Sequence, residues 1–332
     1  MNLPTAIHPE IAAARMLIET DKLRLRGQSL VSLGDLDRRQ LKGILEVTEA
    51  LDLAHQQGFP LFRFQYPKSL AMIFEKPSLR TRVTFDLGMR QLGGLTVVLG
   101  PHEIGMGTRE SVPDVARNLE RWVDCIMARV FEHEKLTGLR EWSHVPVINA
   151  LSDFEHPCQV IADLYTIRQI KGGYNGLKLA WVGDGNNVLH SLLLGCALTG
   201  IDIVAACPEG YWPAPSVVTQ AQQIANGTSN VTVMIDPREA VAGADIVYTD
   251  AWASMGQESE SIIRVAAFQG YQVNDALLDQ ASPGVVFMHC LPAHRGEEVT
   301  DAVLDGPRSA VFQQAENRLH AQKAILALLM GP

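Results

Sequence analysis

Leu70-Ala-Met-Ile-Phe-Glu-Lys-Pro-Ser-Leu-Arg-Thr-Arg82 decides how the chain folds. Its first five residues are apolar with no polar alternation, the pattern of a strand covered on both faces, as in a parallel sheet. The polar stretch after it turns the chain into a helix, which reads over Thr84 to Leu92 and stops at Gly93-Gly94. A buried strand feeding directly into a helix is one half of a βαβ unit. Working outward, equivalent runs occur at Leu95 to Leu99, Cys125 to Val130 and Val145 to Ile148. A second set follows at Leu179 to Val182, Ile201 to Ala205, Val231 to Ile235, Ile246 to Thr249 and Val285 to His289. Helical periods separate them: Leu41, Ile44, Leu45, Thr48 and Leu51 share one face, and Pro113 to Trp122 opens with proline near its first turn. The repeat appears twice. The expected fold is therefore α/β, two doubly wound parallel-sheet domains with a cleft between them. They are expected at 1–152 and 153–315, with a last helix at about 316–332 packing back on the first.

The chain has 332 residues, 47% of them apolar and 20% charged, enough apolar material for packed cores rather than disorder. Twenty-eight Lys and Arg against 37 Asp and Glu give a net charge of −9, which argues against a general nucleic-acid or acidic-membrane binder. No apolar run approaches the roughly 18–20 residues that cross a bilayer, and the N-terminal stretch does not read as a secretory signal. The five cysteines, Cys125, Cys158, Cys196, Cys207 and Cys290, are scattered and include no C-x-x-C pair. A disulfide scaffold and a zinc ribbon are poor readings, and a reducing cytoplasm is the better one.

Four polar segments at strand ends do not read as core. Lys76 to Arg82 places Ser78, Arg80 and Thr81 in the first turn of a helix, where free N–H groups and a partial positive charge suit a phosphate. Arg80 is able to bind two oxygens at once. The alternative is a helix cap with solvated arginines. His156-Pro-Cys-Gln159 opens another helix, with His156 and Gln159 three apart and able to face one ligand; a zinc site using Cys158 lacks partners at zinc spacing. Tyr248 to Gly256 carries Asp250 at a strand's C-terminal edge, where open α/β sheets bind ligands. Asp250 suits a cationic amine, or else caps a helix. Met288 to Gly296 gathers His289, Cys290, His294 and Arg295, so Cys290 is either a thiol activated by neighbouring cations or an inert buried cysteine. A further segment, Gly183-Asp-Gly-Asn-Asn-Val188, lacks the third glycine of a dinucleotide fingerprint. Asn186 and Asn187 offer side-chain amides there instead.

Together these segments resemble the aspartate/ornithine carbamoyltransferase superfamily, and its ornithine branch most. The resemblance runs from about Phe74 to about His320. It is carried by Phe74 to Arg82, His156 to Gln159, Gly183 to Val188, Asp250 to Glu258, His289 to Gly296 and Glu316-Asn-Arg-Leu-His320. It implies transfer of the carbamoyl group of carbamoyl phosphate to the δ-amine of L-ornithine, giving L-citrulline and phosphate, in arginine metabolism.

Carried over by position, carbamoyl phosphate falls to Ser78, Leu79 (through its backbone), Arg80, Thr81, Arg129, His156, Pro157, Cys158, Gln159, Cys290, Leu291 and Arg318. Ornithine falls to Asn187, Asp250, Ser254 and Met255. Cys290, Arg129 and His156 carry the chemistry: Arg129 and His156 steady the carbonyl oxygen and Cys290 takes the amine's proton. No metal and no organic cofactor is implied, because the leaving group is already activated. The family is trimeric, with active sites at subunit contacts, so a homotrimer or a multiple of trimers is expected. Two positions depart from the family pattern. Leu79 stands where relatives often have Thr, and Gly105 stands near where relatives carry a Gln or His that reaches a neighbouring subunit; Arg109 and His102 are the candidates to replace it. Other acceptors, such as putrescine, aspartate or an acylated ornithine, and a non-catalytic phosphate binder are the competing functions.

Overall fold

The structure, a computed structural model, describes residues 9–253 and 261–332. The chain divides into two compact units, Met1–Tyr165 with Asn317–Pro332, and Thr166–Glu316. The division falls within the helix Pro157–Lys171.

In the first unit, β1 (Ser69–Phe74), β2 (Leu95–Leu99), β3 (Cys125–Arg129) and β4 (Val147–Leu151) form a parallel sheet in the order β2-β1-β3-β4. The strands β1 and β3 are buried almost throughout, which is why they carry no polar alternation. On one face the core takes in Ala71, Ile73, Ile126, Ala128, Val115 and Leu136. After β1 the chain crosses to one side to make β2 and then to the other to make β3. The C-terminal ends of β1 and β3 therefore flank a topological switch point.

In the second unit, β5 (Lys178–Val182), β6 (Asp202–Ala206), β7 (Val231–Met234), β8 (Ile246–Thr249) and β9 (Val286–His289) form a parallel sheet in the order β7-β6-β5-β8-β9. Its switch point lies between β5 and β8. The helix Asn187–Thr199 after β5 is buried on nearly every side, which accounts for its mostly apolar sequence. One side of the sheet packs through Val182, Val247, Phe268, Val273, Phe287 and Val303.

Among the described residues, all nine strands stand where the apolar runs place them, with local shifts. The strand read at Val145 to Ile148 begins at Val147 and continues to Leu151. Pro146 has no N–H for the ladder and contributes only its carbonyl, which accepts from the N–H of Ile126. The helix read from Thr84 starts at Leu79 because Ser78 caps it. The last helix runs over Val311–Met330.

Candidate functional site

The first unit gathers its polar residues at the β1/β3 switch point. Phe74 pairs with Arg129 in the ladder, so the turn after β1 lies beside the end of β3. Ser78 is extended, at φ −158° and ψ 119°, and its Oγ accepts from the N–H of Thr81 at 3.3 Å. It is thus the cap of the helix Leu79–Gln91, and the chain's first-turn N–H groups at Leu79 and Arg80 open that helix. The Leu79 side chain is 74% exposed, which leaves its backbone as the part able to serve a ligand.

Arg318, fully buried in the last helix, is the hub. Its Nη1 donates to Gln159 Oε1 at 2.5 Å and its Nη2 to Thr81 Oγ1 at 3.0 Å. The Gln159 amide donates in turn to Asp163 Oδ1 at 2.8 Å. His156 is buried beside this hub, and burial together with the charges of Arg318, Arg129 and Arg80 holds its pKa well below the usual histidine value. Three guanidinium groups acting on one imidazole make this a positive spot, suited to a multivalent anion. Pro157 opens the helix Pro157–Lys171, where its missing N–H costs nothing. Cys158 is fully buried, donates from Sγ to the Asn149 carbonyl at 3.3 Å, and is pushed up to about 12 by burial. Its thiol is therefore inert at neutral pH.

The second unit gathers its polar residues at the ends of β5, β8 and β9. Thr249 pairs with His289, so the next residue of each strand, Asp250 and Cys290, emerges side by side. The Cys290 thiol donates to Asp250 Oδ1 at 3.0 Å, while Asp250 Oδ2 accepts from Asn186 Nδ2 at 2.8 Å. Asn186 also caps the helix Asn187–Thr199, its Oδ1 accepting from the N–H groups of Val188 and Leu189. Both ends of its amide are therefore occupied. Gly185 permits this geometry, since a Cβ there would stand 2.2 Å from the Pro213 nitrogen and 2.3 Å from the Trp212 carbonyl carbon. Ser254 and Met255 lie outside the described residues.

Two of the cationic neighbours that the sequence suggests for Cys290 are engaged by carboxylates. Arg295 turns to the carboxylates of Asp301 and Asp305, and His289 is fully buried against Glu298. The thiol itself donates to a carboxylate, that of Asp250. Near Gly105, the Arg109 guanidinium bonds to the Glu103 carbonyl within its own loop, and Gly105 itself takes a left-handed conformation, φ +58°, ending the short helix Pro101–Ile104. Arg109 is thus engaged locally; His102 is exposed.

Several residues of these networks carry no sequence signal. Gln314 accepts from the His289 N–H at 3.0 Å and donates to Tyr248 Oη at 2.8 Å. Arg264 donates to Asp184 Oδ2 at 3.0 Å and to the Trp252 carbonyl at 2.9 Å; burial lifts the Asp184 carboxyl to about 6 against the pull of that arginine. Asp52 accepts from Tyr165 Oη at 2.7 Å and lies 3.5 Å from His320 Nε2. Only Glu298 had a hint, as one of two acids close behind the Cys290 motif. Among the described residues, two groups have ligand atoms close enough to share a cation: Asp250, His289 and Cys290, and His294, Glu297 and Glu298. In the first, both His289 ring nitrogens already face partners. In the second, His294 Nδ1 lies 3.8 Å from Glu298 Oε2 and covers it as an ion pair when protonated.

Comparison with known proteins divides the chain close to the same point, near residue 170. The family described as aspartate/ornithine carbamoyltransferase, carbamoyl-P binding domain, matches residues 28–169, and that described as aspartate/ornithine carbamoyltransferase, Asp/Orn binding domain, matches residues 175–329. The ornithine carbamoyltransferase of Anoxybacillus flavithermus is 49% identical over 312 residues, 94% of this chain and 99% of that protein. That of Thermococcus kodakarensis is 50% identical over 308 residues, covering 92% and 98%. The solved ornithine carbamoyltransferase of Pyrococcus furiosus superposes with a TM-score of 0.89 at 48% identity, covering 92% of this chain and 98% of that one. The chain belongs to the aspartate/ornithine carbamoyltransferase family.

Proposed function

We propose that the protein is an ornithine carbamoyltransferase: it moves the carbamoyl group of carbamoyl phosphate to the δ-amine of L-ornithine, releasing L-citrulline and phosphate. The observation that carries this reading is the convergence of Arg80, Arg129 and Arg318 on a buried, neutral His156, matched in the second unit by the Asp250–Cys290 pair.

The chemistry makes three demands. The phosphate leaving group needs cations and N–H donors, which Arg80, Arg318, Ser78, Thr81 and the helix start at Leu79 supply. The carbonyl oxygen gains charge as the amine adds, and donors already aimed there, Arg129 and neutral His156, contribute about 3–4 kcal/mol per well-placed group. Gln159 holds the carbamoyl nitrogen, with Pro157 and Cys158 shaping the helix start from which it projects; in the second unit the family resemblance assigns the Leu291 backbone and Cys290 to the same substrate. The incoming amine must shed a proton, since a free alkylammonium ionises near pH 10.4 as lysine does. The proton passes to the Cys290 sulfur, and the hydrogen bond from that sulfur to Asp250 Oδ1 gives the thiol proton an outlet. The neutral amine nitrogen bonds to the carbonyl carbon, the bond from that carbon to the phosphate oxygen breaks, and the nitrogen's surplus proton leaves on the departing phosphate. Asp250, Asn187, Ser254 and Met255 hold the amino-acid end of ornithine. A carboxylate at position 250 selects against aspartate, where two negative groups would meet.

The active form is a homotrimer or a multiple of one. Its support is an apolar stripe on the helix that carries Arg80: Leu79, Val83 and Leu87, one turn apart, are all exposed, and Leu95 and Val97 on the edge strand β2 are exposed as well. All five cysteines are free, which suits a reducing cytoplasm; among the described residues no helix is long and apolar enough to cross a membrane. The test is citrulline formation from carbamoyl phosphate with ornithine, putrescine, N-acetylornithine or aspartate in competition. Exclusive use of ornithine supports the reading, and preference for another acceptor, or phosphate binding with no transfer, overturns it.

A further inference from the structure

We propose that His289 and Glu298 form a buried positioning pair that sets the Leu291 backbone and, through it, the aim of the Cys290 thiol; this deepens the carbamoyl-transfer reading and rests on it. Cys290 follows the last residue of β9, and beyond it the ladder no longer holds the chain. Leu291 takes a left-handed conformation, φ +58°, which a residue with a Cβ adopts only against steric resistance. Something must hold it there, and the His289 ring does so. Its Nδ1 accepts from the Leu291 N–H at 2.8 Å, bridging over Cys290 from one side to the other.

That bond dictates the rest. A ring nitrogen that accepts carries no proton, so the neutral ring bears its proton on Nε2. Nε2 faces Glu298 Oε1 at 3.1 Å, the acceptor this tautomer requires. The same oxygen accepts from the His294 N–H at 2.6 Å. One buried carboxylate thus fixes the chain on both sides of the Leu291-Pro292 step and locks the ring in the orientation that holds Leu291. Behind the ring, the His289 N–H donates to Gln314, which is anchored to Tyr248 on the neighbouring strand. His289 and Glu298 are fully buried, so neither is placed to meet a substrate. Their effect reaches the reaction through Leu291 and Cys290.

Two isosteric substitutions separate this role from simple packing. In His289→Asn the amide oxygen takes the place of Nδ1, so the acceptor for Leu291 survives while the link to Glu298 is lost. In His289→Gln the amide reaches the place of Nε2, so the link to Glu298 survives and the acceptor for Leu291 is lost. Both remove a buried ring and lower the melting temperature by comparable amounts. The pair's role predicts that the Gln variant loses at least tenfold in kcat with less than a threefold change in the KM for carbamoyl phosphate, and that the Asn variant recovers most of that loss. Glu298→Gln is expected between the two. A second readout needs no turnover: the rate of Cys290 alkylation by iodoacetamide, the other four cysteines being buried. It should change severalfold in the Gln variant and stay near the parent rate in the Asn variant. Equal kcat and equal alkylation rates in the two variants would overturn the proposal. If the parent protein makes no citrulline, the functional reading fails, while the alkylation series still decides whether the pair sets the thiol.

Discussion

Arg318 donates from Nη2 to Thr81 Oγ1 at 3.0 Å, joining positions 237 apart in the chain. Its other arm meets Gln159, so one guanidinium fixes a helix start and a helix side chain at once. Arg318→Ala should therefore do more than remove a charge. It frees Thr81 and Gln159 to rotate and lets the buried imidazole of His156 gain a proton more readily. The expected result is a loss of roughly 10²–10³-fold in kcat/KM for carbamoyl phosphate. Arg318→Lys should recover less than a tenth of that loss, because an ammonium cannot meet two acceptors in the fork geometry. Initial-rate kinetics of citrulline formation check both.

Cys290 and Asp250 sit together because their strands are in register, so removing the thiol should disturb little else. Cys290→Ala is expected to lower kcat by roughly 10²–10⁴-fold, the range for a lost proton acceptor, while carbamoyl phosphate still binds within a few-fold of the parent affinity. Calorimetric titration beside steady-state rates separates the two, and unchanged turnover would remove Cys290 from the reaction.

Gly185 has backbone rather than side chain against the space where a Cβ would go, so nothing nearby is able to yield. Gly185→Ala should shift the turn that delivers Asn186 to Asp250. The expected outcome is a rise of at least tenfold in the KM for ornithine, a destabilisation of about 1–3 kcal/mol by denaturant unfolding, and a smaller effect on the KM for carbamoyl phosphate.

The buried cluster around Asp52 makes stability depend on pH. His320 is pushed down to about 4 by burial and the Lys323 charge, against the pull of Asp52, and Lys323 is pushed down to about 8 by burial. As pH falls from about 6.5 to 4, the unfolded chain takes up the histidine proton first, so stability is lost through that window. As pH rises from about 8 to 10.5, the folded chain sheds the lysine proton first, so stability is gained there. Each contributes roughly 2–3 kcal/mol across its window. Melting temperature followed from pH 5 to 10 should climb in both windows, with His320→Gln flattening the acid side and Lys323→Met the alkaline side.

The Leu79, Val83 and Leu87 stripe gives a test of assembly. Val83→Asp adds a charge to an exposed helix face, where the cost to the fold is within about 0.5 kcal/mol. If the proposed trimer uses this face, sedimentation should nonetheless show it replaced by smaller species, with activity falling in step. A trimer that persists at micromolar concentration would place the subunit contact elsewhere.

What the sequence disclosed and what it hid follow from range. The nine strands were legible because a doubly covered strand must be apolar throughout, as Ala180-Trp181-Val182 is. The polar segments were legible because strand ends at switch points collect ligand groups. Ser78 was readable as a phosphate ligand or as a cap, and its Oγ accepts from the Thr81 N–H, a bond that leaves the hydroxyl's donor role compatible with both readings. Arg295 looked like a neighbour of Cys290 by sequence distance, yet two acids ten residues or fewer away claim it. Asp52, Arg264 and Gln314 were invisible because each finds its partners through the fold: Tyr165 lies 113 positions from Asp52, Asp184 lies 80 from Arg264, and Tyr248 lies 66 from Gln314.

The first unit is assembled from both ends of the chain, Met1–Tyr165 and Asn317–Pro332. During synthesis the segment bearing Arg318 leaves the ribosome only after about 150 intervening residues, a delay of roughly 8–30 s at about 5–20 residues per second. A nascent chain has Ser78, Arg80, Arg129 and His156 in hand throughout that interval but lacks the guanidinium that ties Thr81 to Gln159. The anion grip therefore closes last, when translation ends, and a chain cut short before Arg318 carries both sheets' sequences without a finished grip.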